Sequence, residues 1–403
     1  MAYKTIRKAA AMDRSSRSFR PVREVAHGIY EERIAHPAAV RTGIVDGESH
    51  EFFAVMTAEI MALVDRLYVT DRYIEARWQQ LSEQARQMCT EGLIASELEH
   101  AQAIEGVRST WEETVHAVEV AKKPRKKTAP LQSMATAYFV VCMNAEQVRN
   151  LRDVRAFYDV VMHDELREDI ALETALFRSG NVMVIDAAYA EPAHCGVAGE
   201  TVEAYMKQWL RFTRDKRVPA LVRAVMSHFL FEYIHPFYDG NGRTGRFVLA
   251  LQLREILSAP TALLVSSAIA SQKEGYYKAF ETAEHPLNCA ELTLFVRDIL
   301  ECIASAQSAL RDQFDKNALA FETVQQLSAS EIIKLFMTFD IYGYKPEGGL
   351  TIADIAHSLD MNRNRVAAEL EVLVREGVVV KQPGSGQRAA RYCFERYSRG
   401  DLP

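Results

Sequence analysis

Apolar residues recur at intervals of three and four over much of the chain, which is the pattern of helices that bury one face. Between about residues 50 and 106 no glycine or proline interrupts this pattern until Gly92, and its first members are Phe53, Met56, Ile60, Leu63, Val64 and Leu67. The pattern predicts helices across this region. The last of them, near residues 94–106, carries Glu105 in its final turn and ends at Gly106, since glycine is the usual left-handed residue after a helix.

Two more helices and a hairpin are predicted in the middle of the chain. The apolar run from Leu221 to Ile234 predicts a helix that stops before His235, because Pro236 restricts the residue that precedes it. A second helical pattern resumes at Phe247. Between the helices, a turn-forming Ser-Gly-Asn precedes four residues typical of a short strand, which predict a small exposed hairpin: Val182, Met183, Val184 and Ile185.

The last eighty residues contain three helix starts and a second hairpin. Capping pairs are Ser328 with Glu331 and Thr351 with Asp354, and Asn362 opens a third helix that Gly377 closes. Two β-rich segments then flank a Pro-Gly-Ser-Gly turn. Three helices followed by a hairpin predict a winged helix-turn-helix module over residues 326–403.

Composition narrows the function classes. The chain has 403 residues, a net charge of −6 and 48% hydrophobic residues, which predicts a globular protein of two or three domains and no general affinity for nucleic acid or anionic membrane. No apolar run reaches the roughly 18 residues that a spanning helix needs. Six scattered cysteines without a C-x-x-C pair indicate neither a disulfide framework nor a zinc site. We therefore expect a cytoplasmic protein without membrane contact.

The segment HPFYDGNGRTGR, residues 235–246, contains the candidate catalytic and anion-binding residues. It contains G-x-G-x-x-G, but a helix rather than a strand precedes it and no acid lies about 20 residues later, so a dinucleotide fold is excluded. A P-loop is excluded because no Gly-Lys pair exists, and an EF-hand is excluded by Arg243 and Thr244. A glycine-rich entry into a helix does offer free backbone N–H groups to an anion.

Four side chains of this segment fit phosphate chemistry. Arg243 and Arg246 lie on one face of the helix and could hold successive phosphates. Asp239 is the one acid, and a carboxylate beside phosphates usually binds Mg²⁺. Histidine is the side chain whose unperturbed pKa, about 6.5, lies near neutrality, so His235 is the natural general base. The pattern favours attack by a hydroxyl group on a phosphate of a Mg²⁺-bound nucleotide.

The same segment resembles the Fic family, whose signature H-P-F-x-[DE]-G-N-G-R-x-x-R it matches at every fixed position. The resemblance implies a small helical fold that transfers AMP from ATP to a Ser, Thr or Tyr hydroxyl of a target protein. It implies that His235 is the base and that Asp239 binds Mg²⁺. It also assigns the phosphates to Gly240, Asn241 and Gly242 for the α-phosphate, Arg243 for the β-phosphate and Arg246 for the γ-phosphate.

Three further features follow from the resemblance. A pair at Tyr276 and Tyr277 would lie near the adenine, with ordinary helix packing as the alternative. The hairpin at residues 182–185 would be the flap, where the target adds as an extra strand. Glu105 would be the inhibitory glutamate of the motif [ST]-x-x-x-E-[GN], pairing with Arg246, although Ala101 stands where Ser or Thr is expected.

We therefore predict a mainly α protein with three parts: an N-terminal helical region (1–125), a Fic core with a hairpin flap (126–310) and a winged helix (326–403). The predicted activity is an adenylyltransferase that uses ATP and Mg²⁺ and is inhibited by Glu105. The alternatives are a transcriptional regulator with a nucleotide-sensing Fic domain and an enzyme that removes AMP. The winged helix has ten basic and ten acidic residues, so DNA and protein partners both stay open, as does a homodimer.

Overall fold

The protein is mainly helical, with three small antiparallel hairpins in the part of the chain that the structure describes. The computed structural model describes residues 3–15, 20–81, 83–122, 131–143, 147–163, 175–185, 192–327, 330–341, 349–384 and 389–394. Residues 123–127, a run rich in Lys and Arg, and residues 385–388 of the predicted wing lie outside these ranges, as does Ser328.

The N-terminal half contains two strands and seven helices among its described residues. In chain order they are α1 (Ile6–Ser15), α2 (Val22–Ile34), β1 (Ala39–Val45), β2 (Glu51–Val55), α3 (Ala58–Gln80), α4 (Glu83–Ile104), α5 (Trp111–Lys122), α6 (Gln132–Met143) and α7 (Leu151–Met162).

The next segment contains the loop that begins at His235, and the segment ends with a helix of 35 residues. Its elements are β3 (Met183–Ile185), β4 (Pro192–Cys195), α8 (Val202–Phe212), α9 (Ala220–Ile234), α10 (Asn241–Arg254), α11 (Ala259–Ala262), α12 (Val265–Ser271), α13 (Lys273–Glu284) and α14 (Thr293–Leu327). The C-terminal elements are α15 (Glu331–Ile341), α16 (Ile352–Ser358), α17 (Arg363–Arg375), β5 (Val379–Gln382) and β6 (Arg391–Phe394).

One large core joins the N-terminal region to the middle of the chain. Its buried residues run from Ile44 to Ala304, and α9 lies within it, with Phe229, Leu230 and Phe231 fully buried. Helix α3 packs along α14. Residues near the start of the chain and residues near 300 therefore form one packed unit, with the loop between α9 and α10 held by it.

The C-terminal helices have a separate core, built from residues between Ile332 and Tyr392. The predicted capping box of Thr351 and Asp354 is present, Asn362 caps α17, and Gly377 follows α17 with a φ of 71°. Leu350 bridges to Tyr392 beside the hairpin of β5 and β6. Three helices followed by a hairpin is the predicted order of elements.

The structure differs from the predicted helices at two places. Residues 51–55, predicted as the start of a helix, form β2 and pair with β1 across a turn at Gly47 and Glu48. Their apolar residues suit a buried strand as well as a helix, because a five-residue run has too little period to separate the two. The helix predicted near 94–106 begins earlier, at Glu83.

The domain boundaries stay predictions. Helix α14 runs unbroken through residue 310, the predicted end of the Fic core. Within the described residues, no helix is both long and apolar enough to cross a membrane. No disulfide bond joins any two of the five cysteines whose side chains are described.

Candidate functional site: the loop between α9 and α10

His235 ends α9 in the conformation that closes a helix. Its φ is 54° and its ψ is 63°, the left-handed region, and its backbone N–H donates to the Phe231 carbonyl at 3.0 Å. A non-glycine residue in this region costs roughly 1–2 kcal/mol. The surrounding contacts therefore have to hold it there, and the chain leaves the helix axis at this residue.

The ring of His235 is oriented by the helix that it ends. Its Nδ1 lies 3.2 Å from the carbonyl oxygen of Glu232. A carbonyl oxygen only accepts, so this contact places the proton of the neutral ring on Nδ1. The lone pair is then on Nε2, which is the atom of His235 able to take a proton from a bound hydroxyl group.

Asn241 braces the loop by hydrogen bonds in both directions with one backbone unit. Its Oδ1 accepts from the Phe237 N–H at 2.8 Å, and its Nδ2 donates to the Phe237 carbonyl at 2.8 Å. The ring of Phe237 stacks on Tyr158 with centroids 3.8 Å apart. The side chain of Asn241 thus shapes the loop, and its predicted contact with the α-phosphate stays a prediction.

Glycines allow α10 to start immediately after the loop. Gly240 precedes α10 with a φ of 72°, and a Cβ atom there would overlap the side chain of Met162. Gly245 lies against α9, where a Cβ atom would overlap the carboxylate of Glu232. Helix α10 thereby packs closely against α9 at Gly245, and its first turn has backbone N–H groups that no residue of the same helix can pair.

Asp239 lies in the loop with an exposed carboxylate. Its Oδ1 accepts from the Gly240 N–H at 2.7 Å. The described residues contain no cluster of three His, Cys, Asp or Glu side chains that could hold a metal alone. Mg²⁺ bound with a nucleotide commonly uses one or two carboxylates, the phosphates and waters. One exposed aspartate therefore fits this ion.

Arg243 and Arg246 are both buried on α10. Arg246 is 2% exposed, and its Nη2 donates to Glu105 Oε1 at 2.7 Å and to the Ala101 carbonyl at 3.3 Å. Its Nε has no hydrogen-bond partner among the described residues. The ion pair with Glu105 raises the pKa of Arg246, against the effect of burial.

Glu105 places its carboxylate over the start of α10. A Cβ atom on Gly242 would lie 2.5 Å from Glu105 Oε1 and 3.0 Å from Arg246 Nη1. Burial raises the pKa of Glu105, but the charges of Arg246, Arg243 and Lys273 outweigh it, so the pKa lies below its ordinary value. A carboxylate thus lies where the loop and its arginines would receive an anion.

Helix α4, which ends at Ile104 directly before Glu105, is held by contacts that the sequence does not identify. Glu97 is fully buried, and its two oxygens each accept from the Ser266 backbone N–H at 2.9 Å. The Tyr138 hydroxyl donates to Glu97 Oε1 at 3.2 Å. Burial raises the pKa of Glu97. The one signal in the sequence is the spacing of eight, which puts Glu97 and Glu105 near the same face of one helix.

Helix α13 holds the last turn of α4. Lys273 Nζ donates to the Ala103 carbonyl at 3.2 Å, and the Tyr277 hydroxyl donates to the Ile104 carbonyl at 3.4 Å. Positive charge at the C-terminal carbonyls of a helix is favourable. These contacts and the bond from Arg246 to the Ala101 carbonyl secure the end of α4 without a hydroxyl group at residue 101.

The tyrosine pair on α13 divides into a buried and an exposed member. Tyr276 is 4% exposed, and a hydrogen bond of 2.8 Å joins its hydroxyl to His228 Nε2. Burial, with the charge of Arg246, lowers the pKa of His228 to about 3, so that ring is neutral. Tyr277 is 46% exposed. In this structure Tyr276 packs between helices, and an adenine contact for either tyrosine stays a prediction.

The predicted hairpin at residues 182–185 is present, with its first strand beginning at Met183. β3 pairs antiparallel with β4, with Met183 opposite Cys195 and Val184 opposite His194. Val182 precedes the strand, and the Met183 side chain is 57% exposed. The backbone of Ile185 ends β3, and a target chain docking on these four residues stays a prediction.

Comparison with known proteins gives the family. The sequence profile of the Fic/DOC family matches residues 150–253, which include α9, the loop and α10. The chain is 28% identical over 134 residues to Protein adenylyltransferase Fic of Nematostella vectensis, covering 32% of this chain and 28% of that protein. It is 29% identical over 144 residues to Protein adenylyltransferase fic-1 of Caenorhabditis elegans, covering 34% and 27%.

The matched segments span less than a third of each of these two relatives. A solved structure of a Fic family protein from Desulfovibrio desulfuricans superposes with a TM-score of 0.51 at 21% identity, covering 85% of this chain and 97% of that one. This likeness shows a common fold. The profile match and the intact loop show that residues 150–253 form a domain of the Fic/DOC family.

Proposed function

We propose that this protein transfers AMP from ATP to a hydroxyl group of a target protein, and that Glu105 restrains the reaction. The observation that carries the proposal is the orientation of His235. Its Nδ1 faces the Glu232 carbonyl, which leaves Nε2 as a base at the edge of the loop. The names of the two adenylyltransferase relatives support the same activity.

The proposed step uses the residues around the loop in separate roles. The target hydroxyl oxygen attacks the α-phosphorus of ATP while its proton passes to His235 Nε2. The bond between the α-phosphorus and the oxygen bridging to the β-phosphate breaks, and pyrophosphate leaves. Mg²⁺, bound with the nucleotide beside Asp239, would offset the charge of the leaving group.

The buried arginines supply the charge that a triphosphate needs. The Nε–H of Arg246 has no partner among the described residues, and a buried donor without an acceptor is costly. A phosphate oxygen would satisfy it. In this arrangement Arg243 contacts the β-phosphate and Arg246 the γ-phosphate, and the Glu105 carboxylate competes with the γ-phosphate for Arg246.

A labelling experiment tests the activity. Glu105→Gly protein is incubated with Mg²⁺ and a host lysate in two reactions, one with ATP labelled at the α-phosphate and one with ATP labelled at the γ-phosphate. Transfer of AMP puts label on protein only in the first. Label only from the γ-phosphate, or equal labelling by the double variant Glu105→Gly, His235→Ala, would overturn the proposal. Mass spectrometry of labelled proteins then identifies the target.

The removal of AMP is tested with the product of that reaction. Labelled protein is freed of ATP and incubated with the wild-type chain or with its Glu105→Gly variant. Release of AMP by the wild type alone would assign to Glu105 the positioning of a water molecule, and the transfer proposal would then describe only the reverse direction.

The inhibitory ion pair is expected to be insensitive to pH near neutrality. The pKa of Glu105 lies below its ordinary value of about 4.3, so the carboxylate stays charged until the pH falls through that lowered pKa. The ratio of self-labelling rates of Glu105→Gly and wild type should therefore be constant between about pH 6 and pH 8. A ratio that falls steadily towards acid pH would contradict the ion pair as the source of inhibition.

A second candidate function, DNA binding, is favoured by the exposed basic start of α17. Arg363 and Arg365 are both exposed in its first turn. If this helix contacts DNA, affinity should fall steeply between about 50 and 200 mM salt, and replacing both arginines by Gln should weaken it further. Fluorescence anisotropy with genomic fragments measures this. Arg375→Gln at the other end of the same helix is the control, and no binding at low salt would favour protein docking.

A further inference from the structure

Arg178 lies buried between the hairpin and the loop, and within the described part of the chain its guanidinium binds backbone carbonyls alone. It is 2% exposed. Its guanidinium donates to four carbonyl oxygens: His235 at 2.6 Å, Gly180 at 2.6 Å, Val197 at 2.7 Å and Ile234 at 3.1 Å. No carboxylate among the described residues forms an ion pair with it. An arginine in such a place has a specific use, because burying a charge without a counter-ion is expensive.

Two of the four carbonyls belong to the end of α9. Ile234 is the last residue of the helix and His235 caps it, so Arg178 lies at the negative end of the helix dipole. Burial lowers the pKa of Arg178, but a guanidinium in protein stays charged. The charge therefore compensates the unpaired carbonyls at the point where the chain turns into the loop, and it supports the left-handed backbone of His235.

The other two carbonyls belong to the two ends of the hairpin. Gly180 precedes β3 and Val197 follows β4, so one guanidinium group joins both ends to His235. A Cβ atom on Gly196 would lie 2.6 Å from Arg178 Nη2 and 3.0 Å from His235 Cβ. The backbone adds to this contact, since the Arg178 N–H donates to the Pro236 carbonyl at 3.0 Å.

We propose that Arg178 is a positioning residue that fixes the backbone of His235 and the base of the β3–β4 hairpin relative to each other. The inference rests on the proposed function in one respect: a target that adds to β3 would then present its hydroxyl group at a constant distance from His235 Nε2. A misplacement of 1 Å between reacting groups can cost about 100-fold in rate.

The first test measures the position of His235 and does not require activity. Protein labelled with ¹³C at the histidine ring is prepared as wild type, Arg178→Gln and Arg223→Gln. Arg223 is the matched control, since it donates to the Asp215 and Val218 carbonyls near the start of α9. The signal lost in a His235→Asn variant identifies His235.

We expect the His235 signal to shift or broaden in Arg178→Gln, while the signal of His228 in the core stays in place. Arg223→Gln should leave both unchanged. A His235 signal that is the same in Arg178→Gln and in wild type would overturn the inference. If Arg178→Gln does not fold, Arg178→Lys serves in the same comparison, because an ammonium group keeps the charge but cannot span four carbonyls.

The second test is kinetic and uses the Glu105→Gly chain as parent. Adding Arg178→Gln should lower kcat for AMP transfer about 10- to 100-fold with the KM for ATP unchanged, and Arg178→Lys should give an intermediate kcat. A loss expressed only in the KM for ATP would overturn the inference. If the parent transfers no AMP, the proposed function fails, and the histidine signals still decide the role of Arg178.

Discussion

Replacing His235 by alanine is expected to lower AMP transfer by a factor of about 10²–10⁴ while ATP binding is kept. A general base contributes roughly this factor, or about 3–5 kcal/mol at the transition state. The base acts on the incoming hydroxyl group, and the proposed phosphate contacts come from α10 and its arginines. The rate should therefore fall without a matching loss of affinity. Titration calorimetry with ATP and the α-phosphate labelling assay measure the two quantities.

Both measurements are made in the Glu105→Gly background, so that ATP is not excluded. His228→Gln is a useful control, because His228 lies on the same helix with a neutral buried ring that binds Tyr276. Its loss should lower stability but should not remove the base. Undiminished labelling by His235→Ala would contradict the proposed mechanism. A loss of ATP affinity equal to the loss of rate would assign His235 to nucleotide binding.

Replacing Glu105 by glycine is expected to raise self-labelling by about 5- to 150-fold, the factor that corresponds to a coupling free energy of about 1–3 kcal/mol. The carboxylate binds Arg246 at 2.7 Å and lies against Gly242, so it would compete with the γ-phosphate that we propose for Arg246. Removing it leaves Arg246 free to bind the nucleotide. Initial labelling rates and ATP affinity should rise together.

Glycine also weakens a helix, by about 1 kcal/mol relative to alanine. Ala103→Gly is the matched control for this effect, since Ala103 is exposed in the same last turn and its carbonyl stays available to Lys273. Of these two glycine variants, only Glu105→Gly should raise the labelling rate. Glu105→Gln should give an intermediate rate, because the amide oxygen can still accept from Arg246 but carries no charge. Equal labelling rates for wild type and Glu105→Gly would contradict an inhibitory role for Glu105.

The absence of a hydroxyl group at Ala101 predicts a weakly held inhibitory helix, and the structure gives reasons to expect a firmer one. The Ala101 carbonyl accepts from Arg246, and Lys273 and Tyr277 donate to the carbonyls of Ala103 and Ile104. These contacts use backbone acceptors, which any residue supplies. A sequence motif specifies side chains, so it does not reveal contacts to the backbone.

The sequence predicts those parts of the fold that depend on local signals. The end of α9 before His235, the capping box at Thr351 and the glycine after α17 are all as expected, because each is set by residues within one turn. The helix prediction is wrong for residues 51–55. These residues form a strand because they pair with β1, and their own hydrophobic period does not decide their structure.

The site shows the same division between local and distant contacts. The loop motif predicts which residues gather at the start of α10. The contacts of Arg178 and Glu97 join segments 57 and 169 positions apart, and nothing in either local sequence marks them. A buried polar side chain and its distant acceptor can be recognised only when the chain is folded.

The buried carboxylate of Glu97 has a consequence for how the site opens. Glu97 lies in α4 and Glu105 directly follows the last residue of that helix, so the two residues are about 12 Å apart along the helix axis. Displacing α4 as a rigid body would separate Glu97 from Ser266 and Tyr138, and a buried group stripped of its partners costs about 1–3 kcal/mol or more. Unwinding the final turn, or turning the Glu105 side chain alone, leaves these bonds intact. If Glu105 restrains the reaction as proposed, activation would therefore involve only the end of α4 and leave the rest of the helix in place.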